Sequence, residues 1–310
     1  MISVVIPSHN RPESLTRCLQ AIAGLEHPKD RFEVIVVDDG SKASLDQVVS
    51  AFRDRLDIVF INQAHAGPAA ARNAGAARAN GSSFVFLDDD CVPANDWLRA
   101  LETRIAATRT HAIGGRTLNG LRDNLYSSAS QLLVDYLYEY YNVRLPCPSF
   151  FASNNVAFPR EGFHEVGGFD ERFTTAGGED RDLSERWLQH GAQMTYAPDV
   201  LVYHAHPLTL TAFWRQHFRY GRAAFSFRRA RAQRRNGPVT LEPLPFYLNL
   251  LRYPFSKARG RHALLLAMSF VLSQVANAAG FLWERCVGGL RPPVAPRIRT
   301  RIRGDKEDAR

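Results

Sequence analysis

The sequence contains few cysteines, and none of them lies in a paired motif. Four occur among the 310 residues, and no two are separated by only two positions: Cys18, Cys91, Cys147 and Cys286. This spacing excludes the CxxC type of zinc or redox site and gives no disulfide framework. Scattered single cysteines are typical of proteins that work in a reducing compartment.

A secretory leader is also missing from the first residues. Residues 1–7 have neither a basic segment nor a long apolar run, and their pattern is that of a first β-strand. We therefore expect no signal peptide and a cytoplasmic location. The sequence offers no Ser/His/Asp set either, so it indicates no enzyme nucleophile.

Acidic residues are scarce in the last third of the chain. Residues 201–310 carry 20 Lys and Arg against 5 Asp and Glu, whereas residues 1–200 carry 19 against 26. An apolar fraction of 45% and a charged fraction of 23% indicate a folded chain. The charge split predicts a polyanionic partner for the second part, such as phospholipid, nucleic acid or a phosphate-bearing substrate.

The most informative stretch joins an apolar run to three consecutive carboxylates. Residues 84–87 have the pattern of a buried parallel strand, and Asp88, Asp89 and Asp90 follow at its carboxyl end. Ligands of open α/β sheets bind at that edge. Crowded carboxylates repel one another, and a divalent cation such as Mg2+ or Mn2+ removes the conflict. The alternative is a solvated acidic turn.

Alternating strands and helices precede and follow this stretch. Strands are predicted at residues 2–6, 32–37, 56–61, 113–117, 151–158 and 194–202, and helices at 13–25, 45–52, 67–79, 95–108 and 124–141. This order is typical of βαβ units and an α/β sheet. Asp38 and Asp39 end the second strand, where they could cap the next helix or bind a base or ribose.

A second acidic cluster lies further along the chain. Gly177 and Gly178 precede Glu179, Asp180 and Asp182, which begin an amphipathic helix. Acids in a first helical turn are ordinarily partners of the helix dipole. The glycine pair instead suggests backbone that comes close to a ligand.

The basic part of the chain divides into three pieces. Residues 208–235 form a predicted helix rich in arginine and aromatic residues, and residues 263–283 contain no charge. The apolar stretch could span a bilayer or lie in the core, but its basic flanks favour a helix at the membrane interface. The predicted division is a catalytic domain at 1–207, a helical extension at 208–290 and a disordered basic tail at 291–310.

Six short motifs occur in the order and spacing of a known family. They are VVIPSHNR at 4–11, VVDDGS at 36–41, GPAAARN at 67–73, FLDDD at 86–90, GGFDE at 167–171 and GEDRDL at 178–183. With them the chain resembles the family 2 glycosyltransferases, which are inverting enzymes of the GT-A fold. The resemblance covers roughly residues 1–210. It implies an α/β fold with a Rossmann-like mixed sheet flanked by helices, to which this chain adds a basic helical extension.

The resemblance also implies a reaction and a set of site residues. A sugar would pass from a nucleoside-diphosphate sugar, with UDP favoured, to a saccharide or lipid-linked acceptor in cell-surface polysaccharide or glycolipid synthesis. Asp180 matches the catalytic base, with Glu179 beside it. Mg2+ or Mn2+ would bind Asp90, with Asp88 and His204 as further ligands, although His206 is an alternative to His204.

The remaining implied residues bind the donor or the acceptor. Pro7, Asp39 and Arg72 match the family's nucleotide pocket, and the neighbouring donor-binding candidates are Asn10, Arg11, Asp38, Asp88 and Asp89. Asn154 and Asn155 could contact a sugar or make strand-edge hydrogen bonds. We expect an anionic membrane surface at the cytoplasmic face as a partner, and no nucleic acid.

Two other functions compete with this interpretation. Sugar nucleotidyltransferases also combine a nucleotide-binding sheet with carboxylate-held Mg2+, but they usually carry a glycine-rich loop after the first strand. Residues 7–12 contain no glycine. A non-enzymatic polyanion-binding protein would use the arginine-rich and aromatic residues 213–235, but that function leaves both acidic clusters unexplained.

Overall fold

A computed structural model describes residues 1–288, which are built around one eight-stranded mixed sheet. The strands, in chain order, are β1 Ile2–Ser8, β2 Phe32–Asp39, β3 Ile58–Gln63, β4 Ser83–Leu87, β5 Cys91–Pro93, β6 Ala112–Asn119, β7 Asn155–Pro159 and β8 Met194–His204. In space they follow the order β3-β2-β1-β4-β7-β6-β8-β5. Strands β3, β2, β1 and β4 are parallel, as are β6 and β8, while β7 and β5 run antiparallel to their neighbours.

The strand directions bring several chain segments to one edge of the sheet. Because β6 and β4 are both antiparallel to β7, they point the same way, and β8 points with them. The carboxyl ends of β1, β2, β4, β6 and β8 therefore meet at this edge. Asp38, Asp90 and His204 lie at or just beyond three of these ends.

Helices cover both faces of the sheet. Helices α1 (Pro12–Ala23), α2 (Asp46–Ser50) and α4 (Trp97–Ala107) pack on one face, and α3 (Pro68–Arg78), α6 (Arg160–Val166) and α7 (Glu179–Gln189) pack on the other. Alternate residues of the buried strands supply the two cores. Val4 and Ile6 face α1, for example, whereas Val5 faces α3. Burial on both faces explains why these strands have continuous apolar sequences.

The basic extension is a second helical layer attached to the first domain. It consists of α8 (Leu210–Arg234), α9 (Leu244–Lys257) and α10 (Gly260–Gly288), which pack around α5 (Leu125–Tyr138). Leu133 and Tyr136 of α5 share a core with Phe246 and Phe270, and the Tyr136 hydroxyl donates a 2.6 Å hydrogen bond to the Phe246 backbone oxygen. The extension is thus in extensive contact with residues 1–207.

Most predicted elements are present, and several differences have a physical origin. The predicted fold class is confirmed. Strand β7 begins at Asn155, four residues later than predicted, and α6, α9 and β5 were not predicted. The three-residue β5 exists only through its pairing with β8, so no local pattern marks it. The predicted disordered tail, residues 291–310, lies outside the described residues.

Candidate active site at the carboxyl edge of the sheet

The three carboxylates of the triple-Asp motif have different sets of partners, although Asp89 and Asp90 share Arg11. The Asp88 carboxylate lies 2.7 Å from Nη2 of Arg72. Asp89 accepts a 2.6 Å hydrogen bond from the Ser8 hydroxyl, and Nη1 of Arg11 lies 3.1 Å from Asp89 and 2.9 Å from Asp90. Burial raises the pKa of Asp89 to about 6, although Arg11 opposes the shift. Two arginines thus lie among the three acids, and each of the acids contacts at least one of them.

Asp90 also contacts two histidines from the end of β8. Its carboxylate oxygens lie 3.1 Å from Nε2 of His204 and 3.2 Å from Nδ1 of His206. The Ala205 backbone N–H donates a 2.8 Å hydrogen bond to the Asp90 carbonyl, which holds the two segments together. The imidazole rings are parallel, with centroids 5.6 Å apart. Both histidines therefore reach the site, whereas the prediction treated them as alternatives.

The electrostatics of this cluster favour an ionised carboxylate. Burial raises the pKa of Asp90, but His204, His206 and Arg11 lower it by more, so it lies well below its usual range. For His204, burial lowers the pKa, and the Asp90 charge raises it by more. The charged pair is therefore stable despite its burial.

The same three side chains fit a divalent cation. One oxygen of Asp90 and one ring nitrogen from each histidine lie within 4.8 Å of one another. One carboxylate oxygen and two imidazole nitrogens are common ligands of divalent metal ions in proteins. Asp88 instead pairs with Arg72.

Arg72 connects the two acidic clusters. From α3 it reaches Asp88 through Nη2 and Glu179 through Nη1, at 2.7 and 3.2 Å, and its guanidinium lies 5.5 Å from the centre of the Phe169 ring. Glu179 also accepts a 2.7 Å hydrogen bond from the Gly177 N–H. Burial, followed by the charge of Asp180, raises the pKa of Glu179 to about 7 despite the nearby arginine.

Asp180 differs from Glu179 in being half-buried and in forming no ion pair with Arg72 among the described residues. Its carboxylate accepts a 2.8 Å hydrogen bond from the Arg181 backbone N–H. Burial raises the pKa of this carboxyl. Glu179 is thus occupied by Arg72, whereas Asp180 has a carboxylate oxygen available for a substrate proton.

The predicted nucleotide pocket lies where β1 and β2 end. Asp38 accepts hydrogen bonds from the backbone N–H groups of Ser41 and Leu45, and Asp39 accepts them from Ala66 and Gly67. These carboxylates shape the two loops that follow β2 and β3. Asp39 also lies 2.9 Å from Nδ1 of His65, a residue that the sequence analysis missed.

Pro7 and Asn10 belong to the same pocket. Pro7 pairs with Val37 in the sheet. The Asn10 backbone N–H donates to the Ser41 hydroxyl, and its side-chain oxygen accepts from Lys42. The His9 and His65 rings are in contact, with centroids 4.3 Å apart and planes inclined by 31°. No local spacing could have indicated this histidine pair, because its members come from different loops.

Of the two roles considered for Asn155, sugar contact and hydrogen bonding within the sheet, the structure shows hydrogen bonding. Its side chain is 1% exposed, donates to the backbone oxygens of Arg116 and Val200, and accepts a 3.0 Å hydrogen bond from the Trp97 indole. All of its polar atoms are thus used inside the core. Asn154 is half-buried, and its oxygen lies 3.4 Å from the Thr117 hydroxyl.

Residues 3–167 match the family described as "Glycosyl transferase family 2", and residues 134–206 match "N-terminal domain of galactosyltransferase". Glycosyltransferase AglE of Haloferax volcanii is 29% identical over 211 residues, which are 66% of this chain and 66% of that protein. Chondroitin synthase of Escherichia coli is 29% identical over 240 residues, 66% of this chain and 35% of its own length. The chain thus spans between a third and two thirds of these relatives.

A solved structure supports the fold. The mannosyltransferase PcManGT of Pyrobaculum calidifontis, in complex with GDP-Man and Mn2+, superimposes with a TM-score of 0.59 at 22% identity. The superposition covers 94% of this chain and 81% of that one. Residues 1–207 alone make up less than 94% of the chain, so the superposition must also include part of the helical extension.

Proposed function

The chain belongs to glycosyl transferase family 2, and we propose that it transfers a sugar from a nucleoside-diphosphate sugar, UDP-sugar by preference, to an acceptor hydroxyl with inversion. The observation that carries this proposal is the link through Arg72, which joins the Asp88 cluster to Glu179 beside Asp180. This link supports a site in which the diphosphate would bind beside Asp88 and the base would lie next to Glu179.

Asp180 is the general base in this proposal. Its carboxylate takes the proton of the acceptor hydroxyl while the acceptor oxygen attacks the anomeric carbon and the bond to the nucleoside diphosphate breaks. A raised pKa suits this role, because a base titrating nearer neutral pH drives proton transfer more strongly. Glu179 acts indirectly by holding Arg72 and the Gly177 backbone.

Asp90, His204 and His206 would hold the divalent cation, Mn2+ or Mg2+. Bound there, the cation would supply Lewis-acid stabilisation of the departing diphosphate. Arg11 contributes from the protein side, because its guanidinium contacts both Asp89 and Asp90 and is 46% exposed. Once a cation neutralises the carboxylates, the Arg11 guanidinium can therefore turn toward the phosphate oxygens.

The donor nucleotide would occupy the pocket between the loops after β1, β2 and β3. Asp39 holds the loop that leads into α3, and Asn10 ties the loop after β1 to residues 41–42. Pro7, Asp38, Asp88 and Asp89 complete the pocket. The His9 and His65 rings lie beside it, and an imidazole ring face would suit contact with a base.

The acceptor is a saccharide or a lipid-linked saccharide in this proposal. A cavity of about 280 Å³ lies among β6, α5 and α9, and its walls include Arg116, Asp135, Tyr138 and Tyr196. The Tyr138 hydroxyl accepts a hydrogen bond from the Ala152 backbone N–H. The backbone N–H of the preceding residue, Phe151, donates to the Ser184 hydroxyl, which connects this wall of the cavity to α7. Tyrosine faces and carboxylates are suitable for sugar rings and their hydroxyls, and Asn154 is a further candidate contact.

The partner of α9 and α10 is an anionic membrane surface, which would hold the enzyme at the cytoplasmic face. Exposed apolar residues recur every three or four positions on both helices, so each helix has an apolar stripe: Leu244, Leu248, Leu251 and Phe255 on α9, and Leu264, Met268, Val271 and Val275 on α10. Gly260–Val287 is long and apolar enough to cross a membrane, with a third of its apolar window buried.

Charge complementarity supports a lipid surface as the partner. Arg252, Arg259 and Arg261 flank the α9–α10 connection, and all three are exposed. Among the described residues none of them has an acidic side chain within ion-pair distance, so their charges are available to lipid phosphates. A basic flank beside an apolar stripe is the pattern of an interfacial helix.

The proposal is tested with purified protein, Mn2+ and a panel of nucleotide sugars. Thermal-shift measurements identify the nucleotide, because a ligand of the native state raises the midpoint. Product analysis should show a nucleoside diphosphate and an inverted anomeric centre. Asp180→Asn should retain nucleotide binding and lose transfer by about 10²–10⁴-fold. Pyrophosphate release would indicate a nucleotidyltransferase instead, and a normal rate in Asp180→Asn would exclude Asp180 as the base.

A further inference from the structure

The segment that carries Asp180 is packed against α8 of the basic extension. Gly177 and Gly178 have φ angles of +109° and +96°. A Cβ on Gly177 would lie 2.9 Å from the Tyr220 ring and 3.3 Å from the Ala223 side chain, and one on Gly178 would lie 3.1 Å from the Ala223 backbone oxygen. The loop that leads into the catalytic helix therefore rests directly on Tyr220 and Ala223.

A second set of contacts holds α7 on the other side of Asp180. Arg234 of α8 lies 2.6 Å from Asp182 and 3.2 Å from Glu185. Arg231 and Arg235 lie 3.1 and 2.7 Å from Glu185. Asp182 is fully buried, so its charge depends on these arginine contacts and on Arg186 at 2.7 Å.

The opposite side of α8 is fixed against α10. A Cβ on Gly221 would overlap the Asn277 backbone oxygen, and a Cβ on Gly280 would overlap that of Phe218. The two helix backbones are thus in direct contact, and Nε of Arg222 lies 2.7 Å from Glu284. Helix α8 has little freedom to move away from the catalytic loop.

We propose that α8 is the positioning element for Asp180, acting through the Tyr220 ring on the Gly177–Gly178 loop and through Arg234 on α7. These contacts bracket residue 180 on both sides. The inference rests on the proposed function only for its catalytic consequence, because the positioning itself is a property of the fold. The basic extension is therefore required for chemistry as well as for any membrane contact.

Two independent measurements on the full chain test the proposal. Hydrogen exchange followed by mass spectrometry should show Tyr220→Ala and Arg234→Gln speeding exchange at residues 177–183 by about tenfold or more, with residues 84–90 unchanged. In transfer assays the same variants should lose about 10–100-fold in kcat, because misplacing a catalytic group by about 1 Å has effects of this size. Donor KM should stay the same.

Matched variants make the outcomes distinct. Arg215 is exposed, has no ion pair among the described residues and lies on the same helix, so Arg215→Gln should match the wild type in both measurements. Tyr220→Phe keeps the ring and should rescue Tyr220→Ala. An equal loss of kcat in Tyr220→Phe and Tyr220→Ala would overturn the proposal. Unchanged hydrogen exchange at residues 177–183 in Tyr220→Ala and Arg234→Gln would also overturn it. Faster exchange in a protein that transfers no sugar would support positioning and refute the proposed function.

Discussion

Nη2 of Arg72 lies 2.7 Å from the carboxylate of Asp88. Arg72 belongs to α3, and Asp88 directly follows the buried strand β4. Arg72 is 3% exposed, so this contact and the one to Glu179 compensate its charge inside the protein. Its Nε has no hydrogen-bond partner among the described residues. The charge of the guanidinium is thus compensated by two carboxylates that belong to the proposed catalytic site.

Arg72→Met should destabilise the protein and abolish activity. Removing one member of a buried charge network leaves the others uncompensated, which typically costs about 3–5 kcal/mol. Urea unfolding measures this loss. Arg78→Met is the matched control, since Arg78 is exposed on the same helix, and it should change the free energy of unfolding by less than about 0.5 kcal/mol. Equal effects at both positions would show that Arg72 has no special electrostatic role.

Glu179 should make the protein less stable as the pH rises. Burial raises its pKa from 4.5 to about 7, so the folded state binds its proton more tightly than the unfolded state does. The free energy of unfolding should therefore fall between about pH 4.5 and 7, by up to about 3 kcal/mol from this group alone.

The measurement compares urea unfolding of wild type and Glu179→Gln at pH 5 and pH 8. The variant cannot ionise at this position, so its stability should fall less between the two pH values than that of the wild type. Glu165→Gln serves as the control, because Glu165 is exposed near the same face of the protein. Parallel pH profiles for wild type and Glu179→Gln would contradict the raised pKa.

The sequence was sufficient for the parts of the site that follow from strand direction. Asp38, Asp90 and His204 come together because parallel strands end at one edge, and this is predictable from the order of strands. The contact between Arg72 and Glu179 joins residues 107 positions apart, and the contact between Arg234 and Asp182 depends on how α8 packs. The role of Asn155 stayed open in the sequence, because a polar residue in a strand has the same pattern whether it faces a cleft or three buried partners.

The two histidines should contribute separately to metal binding. His204→Ala and His206→Ala should each weaken Mn2+ binding by about tenfold or more, because each removes one nitrogen donor of the three-residue set. Titration followed by the electron paramagnetic resonance of free Mn2+ measures the affinity without an activity assay. His190→Ala, which alters an exposed histidine at the carboxyl end of α7, should bind as the wild type does. Unchanged binding in both site variants would place the metal elsewhere.

Point variants are the appropriate test of membrane binding, because deleting residues 208–310 would also remove the α8 contacts to α7. Leu264→Asn combined with Met268→Asn should reduce binding to vesicles that contain phosphatidylserine. These two residues are 55% and 60% exposed, so the substitutions should leave the thermal midpoint almost unchanged.

Replacing Arg252, Arg259 and Arg261 with Gln should weaken vesicle binding by about 1 kcal/mol per charge and reduce its salt dependence. Neutral phosphatidylcholine vesicles provide the comparison, since they offer the same apolar interior without net negative charge. Sodium carbonate separates the two modes of attachment: an interfacial helix should be released from membranes, whereas a spanning Gly260–Val287 helix would remain. Equal binding to both vesicle types by all variants would exclude an electrostatic contribution, and no binding at all would exclude the membrane surface as the partner of α9 and α10.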